Sequence, residues 1–105
     1  MTIAAELEEV TSSSLKPGCV LDIETQTRHY WMEYVGGDRF RISGHPEFCP
    51  EPILAKIHGS IDRLGEFKPG VIGSGMRLMF RGIGDHVIAT SEVTGIRMDR
   101  GADGD

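Results

Sequence analysis

The sequence predicts a small all-β domain: an SH3-like, partly open β-barrel or a compact antiparallel sandwich of about six to seven short strands, preceded by a short N-terminal helix or arm. Three observations carry this. From Cys19 onward, apolar and polar residues alternate with the period of two that marks half-buried strands. Clusters of Gly, Pro, Asp and Ser interrupt the alternation at roughly ten-residue intervals. The 105 residues are 39% hydrophobic, which suffices for one modest core and leaves little room for a second domain.

At the N-terminus the period differs. Ile3, Leu7 and Val10 fall at i, i+4 and i+7, one stripe of a short helix, with Thr2 as its N-cap and Glu6, Glu8 and Glu9 off the stripe. Thr11 to Ser14 reads as a linker, so residues 1–14 form a helix or arm and linker ahead of a single β domain over 15–98. Lys16-Pro17-Gly18 is a turn that launches the first strand. There Cys19, Leu21 and Ile23 share one face against Asp22 and Glu24. Residues 29–35, HYWMEYV, are rich in aromatics and suit a strand buried on much of both faces. Gly36-Gly37-Asp38 is a hairpin signal, and RFRIS after it places Phe40 and Ile42 inward with Arg39 and Arg41 outward.

Three prolines in GHPEFCPEP bar that stretch from any central strand. Ile53 to Ile61 resumes the alternation, with Lys56, His58 and Ser60 on the face opposite Ile57. Residues 62–75 read as a long Gly-rich connection. MRLMFR, a turn at residues 82–85, HVIAT, a short bend at Ser91-Glu92 and VTGIRM complete the strands. A hairpin, a one-turn bend and a final short strand is how SH3-like barrels close. Residues 99–105 read as a disordered tail.

The net charge is −5 and is unevenly spread. Residues 15–98 carry ten Lys/Arg and ten Asp/Glu, and the excess acid lies at the two ends. A neutral body with acidic ends has no general attraction for phosphate backbones. No basic-then-apolar leader and no bilayer-length apolar run is present, so a cytoplasmic location, no membrane partner and free thiols at Cys19 and Cys49 are expected.

Few residues suggest chemistry. His45 and Cys49 are the candidate metal ligands and the centre of a metal-dependent enzyme reading, with His58 or His29 as a further ligand. The Cys and His four residues apart supply only half of a zinc tetrahedron, with no CxxC or HxxxH pair to complete it. The same Cys and His could be a nucleophile and base, but nothing in the spacing supplies an orienting group or an oxyanion hole. Gly70 to Gly75 leads into a strand rather than a helix, which argues against a phosphate-binding loop. No catalytic or cofactor-binding residue is assigned, and no cofactor is expected.

Two binding readings follow. Arg39, Arg41, Arg77 and Arg81 could form a basic stripe beside Tyr30, Trp31 or Tyr34, as in small barrels that bind single-stranded nucleic acid. Each has an acidic counterpart within the neutral body, so solvated cross-strand ion pairs are the simpler account. The long connection also holds Leu64, Phe67, Val71 and Ile72, large apolar residues that must be covered by the barrel or by a second subunit. The sequence therefore predicts a non-catalytic binding or protein-interaction module, a homo-oligomer and most simply a dimer. The nucleic-acid-binding barrel is the alternative.

Overall fold

In the computed structural model, which describes residues 5–47, 49–82 and 86–99, the alternating segments become ten strands with no α-helix among the described residues. They are β1 (Ala5–Leu7), β2 (Glu9–Thr11), β3 (Val20–Thr25), β4 (His29–Gly36), β5 (Arg39–Ser43), β6 (Ile53–Ile61), β7 (Phe67–Pro69), β8 (Val71–Gly73), β9 (Arg77–Arg81) and β10 (Val87–Asp99). Every ladder is antiparallel. β3, β4, β5 and β6 form a meander in sequence order. β9 then pairs with both β6 and β10, and β10 also pairs with β3. The fold is all-β, and it fits a partly open barrel or a sandwich.

The two longest strands make this wrapping possible. The first half of β10 lies against β9 and its second half against β3, with register shifts near Ala89–Glu92 and Val93–Gly95. β6 gives residues 53–56 to β5 and residues 56–61 to β9, with a shift between Ile57 and Gly59. An unpaired extra residue bends a strand and increases its twist, which carries each of these strands from one layer into the next. Between the layers sits one core that includes Leu21, Ile23, Tyr30, Met32, Phe40, Ile42, Leu78, Phe80, Val93 and Ile96. The Tyr30 ring meets Phe80 edge-on, with centroids 6.1 Å apart. Each of the larger of these side chains contributes about 1.5–3 kcal/mol by leaving water.

Several details depart from the sequence reading. The N-terminal stripe is not a helix: β1 pairs with the second half of β10, and β2 pairs with β8. An isolated helix of so few residues is marginal, whereas a strand here satisfies the free edge of β10 with backbone hydrogen bonds. Residues 1–4 lie outside the description. The Ser12–Ser14 linker is a 3-10 turn, and the Ser12 N–H donates to the Gly70 carbonyl at 2.8 Å. Residues 62–75 are not one long loop but a tight turn followed by β7 and β8, split at Gly70. The one-turn bend expected of an SH3-like closure is replaced by the unbroken β10. β4 is buried on one face only: Tyr30, Met32 and Tyr34 point inward and Trp31 outward. The 82–85 turn and the 99–105 tail fall largely outside the described residues.

Two buried hydroxyls, those of Ser60 and Thr90, are paired with backbone groups. Ser60 Oγ donates to the Val71 carbonyl at 2.7 Å, pinning β8 to β6. Thr90 Oγ1 accepts from the Leu78 N–H at 3.0 Å and donates to the Ser91 carbonyl at 2.7 Å, occupying a position where the β9–β10 register slips. Gly59 has φ +143°, and a Cβ built there would overlap the Lys68 carbonyl oxygen. Only glycine lets β7 approach β6 this closely.

Candidate functional site

The His45–Cys49 segment is a closed turn. The Cys49 N–H donates to the His45 carbonyl at 3.0 Å, and the Gly44 N–H donates to the Cys49 carbonyl at 2.8 Å. The Glu47 N–H donates to His45 Nδ1 at 3.1 Å, so in the neutral ring Nε2 carries the proton. Burial lowers the His45 pKa, Arg28 lowers it further and Glu47 opposes them. Cys49 is fully buried, and that burial pushes its thiol pKa up despite the backbone hydrogen bond within the turn. A buried thiol of raised pKa is a poor nucleophile and a poor ligand. His58 lies on β6 beside the Gly59 bulge, with Nε2 buried and without a hydrogen-bond partner. Among the described residues no three His, Cys, Asp or Glu side chains gather as a metal-holding group.

The four arginines separate. Arg39 faces Lys56 across the β5–β6 ladder, and Lys56 faces Arg81 across β6–β9. Three cations thus occupy one cross-strand row, which continues to Val87 on β10. Leu54, 53% exposed, stands two residues before Lys56 on the same face, and Val87 is 48% exposed. Arg41 lies in the next row, 3.5 Å from Glu33. Arg77 lies on another part of β9, opposite Glu92, and donates to the Thr90 carbonyl at 3.0 Å. Sequence reasoning placed Lys56 on the outer face but did not join it to Arg39 and Arg81. Their convergence depends on the β5–β6 and β6–β9 registers, which alternation alone does not specify.

The aromatic half of the basic-stripe reading fares differently. Tyr30 and Tyr34 are core residues, and Tyr34 packs on Phe40. Trp31 alone is exposed, in the row Glu6–Arg97–Asp22–Trp31–Ser43, with His29 against Asp22. The Glu33–Arg41 row separates it from Arg39. Arg39, Arg41, Arg77 and Arg81 therefore lie outside the Trp31 row, whose cation is Arg97.

The apolar residues of 62–75 also divide. Ile72 is fully buried by its own chain and Val71 half-buried, because β8 packs on β6 and pairs with β2. Leu64 is 91% exposed and Phe67 45% exposed. Leu64 stands at the tip of a turn in which Asp62 Oδ1 accepts from the Leu64 and Glu66 N–H groups, each at 2.9 Å. Only these two of the four present apolar surface to a second molecule.

One cleft was not foreseen. It lies between the β3–β4 turn, the His45 turn and the first half of β10, and holds about 410 Å3. Arg28, His45 and His86 line it together with Thr27 and Ser91, whose hydroxyls are 2.9 Å apart. Sequence spacing could not bring residues 27, 45, 86 and 91 together, since their meeting depends on β10 crossing to β3. No protein-family model, curated protein or solved structure matches the chain.

Proposed function

We propose that the chain is a non-catalytic protein-interaction module that docks an acidic, partly apolar segment of a partner protein on the Arg39–Lys56–Arg81 row. The observation that carries this is cation facing cation across two successive ladders. Like charges directly opposite one another cost a sheet stability, and an acidic partner turns that cost into attraction. Leu54 and Val87 beside the row offer apolar area for the same partner to cover. The inert Cys49 thiol supports a binding role over a catalytic one. Among the described residues no helix is long and apolar enough to cross a membrane. We infer a cytoplasmic location, a compartment that suits two buried cysteines outside any disulfide.

The nucleic-acid-binding barrel loses support from the burial of Tyr30 and Tyr34 and from the pairing of Arg41 with Glu33. The test is fluorescence anisotropy with three probes: a peptide of alternating Glu and Leu, a single-stranded oligonucleotide, and vesicles containing anionic lipid. Saturable peptide binding that weakens about tenfold or more in Lys56→Glu supports the reading. Preferential binding of the oligonucleotide or the vesicles replaces it.

Self-association is a second reading, favoured by the exposure of Leu64 and Phe67 at the β7 edge. A dimer of the 11.5 kDa chain in light scattering, weakened by Phe67→Ser, supports it. A monomer at micromolar concentration overturns it.

A further inference from the structure

We propose that a second cleft, on the outer face where β10, β3, β4 and β5 run side by side, binds a neutral saccharide. It holds about 520 Å3 and Trp31 is part of its lining. Trp31, the single tryptophan of the chain, is 37% exposed, while Tyr30 before it and Met32 after it are buried in the core. Those buried neighbours and the ladders on both sides of β4 fix position 31 on the outer face, so the indole cannot turn into the core. A large aromatic ring held in water gains by acquiring a flat apolar partner. A pyranose ring is such a partner, because its C–H bonds, polarised by the neighbouring oxygens, meet the negative face of the indole.

The polar groups suit the rim of such a ring. The cross-strand row reads Arg97–Asp22–Trp31–Ser43, and all four residues line the cleft. Asp22 and Ser43 stand on either side of the tryptophan, two interstrand spacings or about 10 Å apart. A ring seated on the indole therefore meets a polar group at each end. Every saccharide hydroxyl both donates and accepts, and the row offers both roles. Asp22 accepts from His29 Nε2–H, and a carboxylate has room for further donors. In the neutral His29 ring, Nδ1 is then an acceptor as well. Arg97 brings a fork of N–H donors opposite Asp22, and the Ser43 hydroxyl takes either role. The His29–Asp22 bond ties β4 to β3 at this rim, so part of the polar set is held before a ligand arrives.

Charged ligands fit less well. The Asp22 carboxylate beside the indole repels a phosphate or an acidic peptide, and Arg97 opposite it offsets its attraction for a cation resting on the ring. A neutral polyol meets neither penalty and uses both groups as hydrogen-bond partners. The cleft is larger than one sugar ring needs and has room for a disaccharide. This site is independent of the acidic-peptide reading, since the Glu33–Arg41 row lies between Trp31 and Arg39.

The test is a titration of the full chain with methyl β-glucopyranoside, methyl β-galactopyranoside, cellobiose and adenosine. Tryptophan fluorescence reports on Trp31 alone, and nuclear magnetic resonance shifts of the Asp22, Trp31 and Ser43 amides report on the row. At least one saccharide should give saturable changes at or below about 10 mM. Followed by resonance, Trp31→Ala should abolish that binding and Asp22→Asn should weaken it about tenfold or more, each with unchanged far-ultraviolet circular dichroism. Glu33→Gln, the same loss of charge one row away, should leave affinity as it was. No saturable change with any of the saccharides overturns the proposal, as does equal loss in Asp22→Asn and Glu33→Gln. Adenosine bound more tightly than every saccharide would overturn the assignment to a sugar.

Discussion

Arg39 lies directly across the β5–β6 ladder from Lys56, and the pair is continued by Arg81 on the other side of Lys56. Replacing Lys56 by an anion turns the repulsion from Arg39 opposite it into attraction. Lys56→Glu should therefore raise stability by about 0.5–1 kcal/mol at low salt, measured as a higher urea midpoint, while weakening the acidic peptide. The gain should fade near 1 M salt, where screening shortens to about 3 Å. A gain that persists at high salt would mean that it is not electrostatic.

Gly59 should not tolerate a side chain. Its positive φ and the nearby Lys68 carbonyl oppose any Cβ, so Gly59→Ala should cost on the order of 2–4 kcal/mol. Gly37→Ala also meets a positive φ but finds open space, and should cost less. Urea melts of the two variants make the comparison.

Alkaline pH should destabilise the fold. Burial raises the Cys49 pKa above its ordinary 9.0, and burial followed by the neighbouring Cys49 raises Tyr30 above its ordinary 10.0, against a smaller opposing effect of Arg28. Both groups are acids held neutral in the fold. Their contribution is complete below the unfolded values and is lost as pH rises through the folded ones. The urea midpoint should fall from about pH 9 upward, and Cys49→Ala should make the early part of that fall shallower. Native Cys49 should react slowly with a thiol reagent at pH 8 and quickly once unfolded.

Ile72 and Phe67 are close in sequence and should behave oppositely. Ile72→Ala leaves a cavity beneath β8 and should cost about 2–4 kcal/mol. Phe67→Ser removes a half-exposed ring and should cost about 1 kcal/mol or less in the monomer. A large loss of stability in Phe67→Ser would place that ring in the core.

The central strands were legible because their alternation is local. Leu21 and Ile23 were assigned to one face, and Phe40 and Ile42 inward, from period two alone, and all four are buried. The errors arise where tertiary partners decide. Leu7 and Val10 fit a helical stripe equally well as they fit two short strands, and the free edge of β10 settles the matter. Gly70 reads as part of a loop, yet it only separates two three-residue strands. Of the candidate surfaces, Arg39 and Arg81 were named without Lys56 as their bridge. The Arg28–His45–His86 cleft was not seen, because it joins the chain at separate turns.

The sharing of β10 between β9 and β3 governs the order in which the molecule can assemble. Thr94 Oγ1 reaches the Glu24 carbonyl across 70 residues of chain, so the closing ladder is among the most distant in sequence. During synthesis the β3–β4–β5 meander can pair as it leaves the ribosome, but β3 keeps an open edge until the last strand has emerged. Closure then pays the entropy of a long loop at the final step, which slows folding relative to a helical protein of equal size. For that interval the nascent chain exposes a strand edge to its neighbours, and crowding of incomplete chains is the condition under which it aggregates.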